Sequence, residues 1–245
     1  MPELPGPDLK LLNGTIAIAV TTLVFLFYYL ITSSNQISRR LEKKFNKEDA
    51  SIRKIMLHRL SGAVLYGFIP LLVILLVFKL PVNDFGSNKD FLTKSIIWWI
   101  PAAILVVVIN YYAARNKNHL AQYPQIRAKH WSSGLITLSA LSWITYLVGY
   151  EFMFRGFLLF SCLESFGYWP AIIINISLYS LVHLPKGPTE TVASVFFGFI
   201  LSYLTLELGS IWFALFIHIT LALTNEWFSI SFHPEMIRVK KQVPQ

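Results

Sequence analysis

Cysteine is nearly absent from this chain. The single Cys162 excludes an intramolecular disulfide and a zinc site built from several thiolates. Charge is also scarce: 14% of the 245 residues are charged, only 13 are acidic, and 55% are hydrophobic. A soluble globular domain carries about 25% charged residues, so this composition excludes that class. No internal repeat or low-complexity tract is visible. What the chain has instead is apolar runs, several of which approach or exceed the roughly 20 residues that a helix needs to cross a bilayer. These predict an all-α fold, a polytopic helical membrane protein. A net charge of +8 would suggest nucleic acid in a soluble protein. Here the loops hold most of it, which the positive-inside rule explains without a nucleic-acid partner.

The first apolar run, 11–32, reads as a retained transmembrane helix and not a cleaved signal peptide. Only Lys10 precedes it as a basic residue, and no small-residue cleavage site follows. The stretch 33–59 contains Arg39, Arg40, Lys43, Lys44, Lys47, Arg53, Lys54 and Arg59, with Leu41, Phe45, Ile52, Ile55 and Met56 at helical spacing. It predicts one or two amphipathic helices on an anionic membrane face; the alternative is a solvated basic loop. Further spans are expected at 60–80, kinked at Pro70, and at 96–114, with Trp98, Trp99, Tyr111 and Tyr112 as an aromatic belt. The run 134–163 exceeds one straight span, so it is tilted, partly outside the membrane, or broken near Gly149. The last three spans are 170–184, 190–206 and 211–230, giving seven transmembrane helices, or eight if the fourth breaks. With seven spans, sixteen of the 21 Lys and Arg fall on one side, which predicts that the first basic loop is cytoplasmic. The chain divides into N-terminal helices (1–129), a core (130–230) and a basic tail (231–245).

The core carries the costly residues. Glu151 and Arg155 sit in an apolar run, where a central charge costs about 2.5–3.5 kcal/mol on insertion scales. Four residues apart, they share one helical face. His183 and His218 are each buried in a later span. A buried carboxylate beside an imidazole can activate water, and a second imidazole can stabilise an oxyanion. Glu151, His183 and His218 are equally the kind of residues that bind a divalent metal such as zinc; a Glu-dependent mechanism requires no cofactor. Each also has a plainer reading: an ion pair for Glu151 and Arg155, an interfacial residue for His183, a carbonyl-bonded core histidine for His218. Asn225 shares a helical face with His218, and Glu226 adjoins it. Asn175 is expected to make a helix–helix hydrogen bond.

Glu151-Phe-Met-Phe-Arg155-Gly156, Tyr179-Ser-Leu-Val-His183, Phe197-Gly198 and the Gly209-Ser210-Ile211-Trp212 turn leading to His218 resemble the CPBP family. These are the CAAX-processing and bacteriocin-processing intramembrane proteases, which include the Ras-converting CAAX endopeptidase and lysostaphin-resistance-type proteins. The resemblance covers about 130–229. The family's motifs are Glu-Glu-x-x-x-Arg, Phe-x-x-x-His and His-x-x-x-Asn. Tyr150 stands at the first Glu, Tyr179 at the Phe and Ala222 at the Asn. The resemblance implies water activation by the first Glu with His183, and oxyanion stabilisation by His218 and the Asn. A phenol with a pKa near 10 is a poor base at neutral pH, so Glu151 would have to take the base role, supported by Arg155, with Asn225 replacing the missing amide.

The resemblance thus implies an intramembrane endopeptidase acting on a membrane-associated protein or peptide substrate within the lipid bilayer, in a bacterial inner membrane. The alternative is a non-catalytic relative with a binding or immunity-like role. A third class is a small transporter using Glu151 and the histidines as a proton relay. One conflict stands: along straight spans, Glu151 and His183 differ in depth by roughly 15 Å.

Overall fold

The computed structural model describes residues 9–239. Lys240 and Lys241 of the basic tail, and the side chain of Lys10, lie outside the described residues. Helix α1 (Leu9–Thr32) leads into α2 (Asn35–Lys44), whose N-terminus is capped by Ser34, and then into α3 (Lys47–Phe78), capped by Asn46. Each cap side chain accepts a backbone N–H from three residues on, satisfying a donor that the helix itself leaves unpaired. Pro70 does not stop α3. Widened π-helical turns at Val64–Phe68 and Val73–Phe78 flank it, absorbing the missing donor and the ring clash.

Then follow α4 (Leu92–Ala113), α5 (Lys117–Gln122), α6 (Ser133–Phe166), α7 (Tyr168–His183), α8 (Pro188–Leu208) and α9 (Trp212–Phe232). Two three-residue strands that the sequence reading did not predict, β1 (His130–Ser132) and β2 (Ile237–Val239), pair in parallel. They tie the end of α9 to the start of α6. The α8–α9 turn closes on Gly209 at φ 63°, a left-handed position that glycine occupies without strain.

Among the described residues, six helical segments are long and apolar enough to cross a membrane, and α7 is the one predicted span that falls short. Its 16 residues reach about 24 Å at 1.5 Å per residue, less than the ~30 Å hydrocarbon core. Helix α6 is not broken at Gly149. It runs unbroken for 34 residues, so the eighth span has no break to arise from. It is one long helix, with a π-helical stretch at Phe152–Leu158 inside it.

Gly149 has another role. A Cβ there would lie 2.9 Å from the Ala63 carbonyl oxygen and 3.0 Å from Gly67 N, both backbone atoms of α3. The contact is backbone on backbone and has no flexible side chain to yield. Gly149→Ala is therefore expected to destabilise the protein by about 1–3 kcal/mol as α3 and α6 are pushed apart, read as a lowered thermal midpoint in detergent.

Two packing centres organise the helices. Tyr66, Tyr150, Phe154, Phe157 and Tyr179 fill the space between α1, α3, α6 and α7. Leu201, Phe213 and Ile217 join α8 and α9 to α4. Trp99 belongs to this second centre and not to the aromatic belt: its Nε1 donates to Thr220 Oγ1 at 3.0 Å. Trp98 and Tyr112 do face outward. Arg59 also departs from the sequence reading. It is not part of a surface basic face but is buried inside the bundle, for a reason given below.

Candidate active site

The π-helical stretch of α6 widens the helix where Glu151 and Arg155 project inward. Widening frees backbone carbonyls, which must find new partners in a dry interior. Asn175 of α7 supplies one: its Nδ2 donates to the Phe154 carbonyl at 2.5 Å, while its Oδ1 accepts from Ser202 Oγ at 3.0 Å. The expected interhelical hydrogen bond of Asn175 thus braces the irregular turn of α6 against α7 and α8.

Glu151 and Arg155 are both fully buried, with Arg155 Nη1 3.5 Å from Glu151 Oε2. The Arg155 guanidinium also lies over the Tyr179 ring, 4.0 Å from its centroid, a favourable place for a desolvated cation. The other carboxylate oxygen, Glu151 Oε1, accepts from His218 Nδ1 at 2.5 Å. Glu151 therefore joins α6 to α9.

His183 stands one turn beyond Tyr179. Its Nδ1 donates to the Tyr179 carbonyl at 2.9 Å, and its ring packs 4.7 Å from that of Tyr179. Both histidines thus have Nδ1 engaged, which leaves Nε2 as the lone-pair nitrogen of the neutral ring. The depth conflict vanishes when residues are counted from the α6–α7 turn: Glu151 lies sixteen residues before Gly167 and His183 sixteen after it. A helical hairpin brings residues equidistant from its turn to the same level.

His183 and His218 line one cavity of about 330 Å³, together with Tyr150, Ala222 and Asn225. Glu151 does not line it but sits behind His218. The cavity lies on the side of the basic loops, with further walls from α1 (Tyr28, Tyr29) and α3 (His58, Arg59). Tyr150 presents its ring edge-on to His218 at 5.7 Å, and its hydroxyl is buried without a hydrogen-bond partner among the described residues. Asn225 Oδ1 accepts from His119 Nε2 at 2.5 Å. Its Nδ2 makes no hydrogen bond to described protein atoms. Tyr123, which helps close the mouth, donates to Glu190 Oε1 at 3.1 Å. Burial, with the neighbouring Glu190 carboxylate, holds the Tyr123 phenol well above its usual pKa.

The donor set does not fit a metal ion. Among the described residues no three His, Cys, Asp or Glu side chains are grouped to hold one, and Glu151 is already committed to Arg155 and His218.

Two participants were missed in the sequence. His119 reaches Asn225 from the short α5. Arg59 forms a buried ion pair with Glu226 at 3.1 Å, with exposures of 3% and 1%. Arg59 also donates to the Ser139 carbonyl, Ser139 Oγ, Ser142 Oγ and Gln125 Oε1, and its guanidinium lies 4.0 Å from a Trp143 ring centroid. Glu226 accepts from Ser139 Oγ and Trp143 Nε1 as well. The signal was present: Glu226 is the one acidic residue inside the last span, and such a residue needs a cation.

No curated protein and no solved structure matches the chain. Residues 132–224 match the family described as type II CAAX prenyl endopeptidase Rce1-like. That stretch includes Glu151, Arg155, His183 and His218 and ends one residue short of Asn225. Over this segment, less than half of the chain, the match supports the resemblance to the CAAX-protease (CPBP) family.

Proposed function

We propose that the protein is a CAAX-type intramembrane endopeptidase that hydrolyses a peptide bond of a membrane-associated substrate near the membrane surface. The observation that carries this reading is the 2.5 Å contact between Glu151 and His218 at the wall of a cavity that His183 also lines. In this reading Glu151 acts through His218 and does not meet water directly. The carboxylate fixes His218 with its proton on Nδ1 and stabilises the imidazolium that forms when Nε2 takes a proton from water, as in carboxylate–imidazole pairs generally. His183 Nε2 is a second acceptor that orients the same water. Asn225, its Oδ1 held by His119, offers Nδ2 to the developing oxyanion in place of the amide missing at Ala222. Arg155 pairs with the other carboxylate oxygen of Glu151. The first basic loop lies on the cytoplasmic side, and the bilayer is a bacterial inner membrane.

The test is hydrolysis in proteoliposomes. A prenylated peptide with a C-terminal extension is the first probe, with the released extension read by mass spectrometry. Wild-type cleavage and its loss in His218→Ala are expected; no cleavage by wild type, or full activity of His218→Ala, sinks the mechanism. Asn225→Ala is expected to lower kcat by about 10²–10³-fold with little change in KM, the usual effect of removing one oxyanion donor.

A second reading is a binding protein without hydrolysis. What favours it is that no carboxylate is among the residues lining the cavity, and that Tyr150 occupies the position of the family's first Glu. It predicts that the stability-compensated double variant Glu151→Gln/Arg155→Met leaves the cellular phenotype unaltered.

A further inference from the structure

Helix α2 folds back along the start of α3. Between them Leu41, Phe45, Ile52, Met56, Leu57 and Leu138 line an apolar groove of about 530 Å³, lined by a different set of α3 residues from those of the cavity above. Leu57 and Leu138 are exposed on the outer surface of helices that enter the membrane, so the groove opens toward lipid. Cations stand at its end. The Arg53 guanidinium lies 4.0 Å from the centroid of the Phe45 ring and Lys44 Nζ 5.6 Å from it. Neither makes an ion pair among the described residues. The single acid in the lining, Asp49, is tied into the α3 cap by Asn46, whose Nδ2 donates to Asp49 Oδ2 at 3.0 Å. Arg39, Arg40 and Lys43 are exposed on the same short helix.

An apolar slot ending in unpaired cations complements a molecule with a hydrocarbon chain and a negative head. We infer that this groove is a binding site for one anionic phospholipid, its acyl chain along Leu41, Ile52 and Leu138 and its phosphate between Arg53 and Lys44. The charge selects the head group. The slot holds one molecule at a fixed place, unlike the diffuse attraction of a basic helix for an anionic surface.

Native mass spectrometry of the full chain in detergent, titrated with phosphatidylglycerol or with phosphatidylcholine of the same acyl chains, tests this. Wild type should retain one phosphatidylglycerol several-fold more strongly than phosphatidylcholine. Each basic residue near a membrane surface contributes about fivefold, so Arg53→Ala with Lys44→Ala should remove about 25-fold of that binding. Leu138→Trp, which fills the groove at an exposed position, should weaken retention of both lipids. Equal retention of the two lipids by wild type overturns the proposal. So does a phosphatidylglycerol preference that survives loss of Arg53 and Lys44, or phosphatidylglycerol retention that Leu138→Trp leaves undiminished.

Discussion

Glu151→Gln is expected to lower kcat about 10⁴-fold, the loss seen when the carboxylate behind a catalytic imidazole is replaced by an amide. A neutral amide no longer holds the proton on His218 Nδ1. The ring can then adopt the other tautomer, with Nε2 protonated and useless as a base. The same substitution leaves Arg155 buried without a counter-charge, and breaking a buried ion pair in this way costs about 3–5 kcal/mol. Lost folding could therefore mimic lost chemistry. The double variant Glu151→Gln/Arg155→Met separates them, because it removes the stranded cation along with the carboxylate. Its thermal midpoint should recover toward wild type while its turnover stays at the level of the single variant. Recovery of turnover with stability would show that Glu151 serves the fold alone.

The Arg59–Glu226 pair should show the second large effect, on stability. Glu226→Leu is expected to cost about 3–5 kcal/mol, and Arg59→Met less. The asymmetry is chemical. A carboxylate left behind by Arg59→Met can take up a proton and still accept from Ser139 Oγ and Trp143 Nε1. A guanidinium left behind by Glu226→Leu cannot shed its charge. The double variant, with two apolar side chains of similar size, should be more stable than Glu226→Leu alone. Thermal unfolding of the four proteins in one detergent gives the coupling between the two sites. Equal midpoints for all four would mean that the network contributes nothing to stability.

What could be read from the sequence follows from how locally each feature is encoded. Helix composition and the Gly209 turn depend on neighbouring residues and are visible there. The common level of Glu151 and His183 was also encoded, as their equal distance from Gly167. It is obscured when each span is measured from its own ends, because the short α7 and the overlong α6 shift in opposite directions. Arg59 was hidden among other basic residues, where a run of charge reads as surface. Its burial depends on Glu226, 167 residues later, and only Glu226 stood out. The π-helical stretch of α6 has no local signature. It persists because Asn175, on another helix, supplies the donor that Phe154 O needs. The engagement of Glu151 with His218, and not with the cavity, is likewise a matter of angles between helices, which a motif spacing does not carry.

The cavity has a consequence for how hydrolysis is supplied. Water is the second substrate of any peptidase, and hydrocarbon carries almost none of it. The stretch 132–224 holds both histidines, yet the wall facing them takes Tyr28, Tyr29 and Thr32 from α1 and His58 and Arg59 from α3. These polar side chains are what makes that wall wettable. Reduced to 132–224, the motifs would look onto acyl chains and the reaction would be starved of its smaller reactant. In the proposed peptidase the N-terminal helices would be the aqueous conduit of the site, and changes in them should act on the delivery of water before they act on the chemistry.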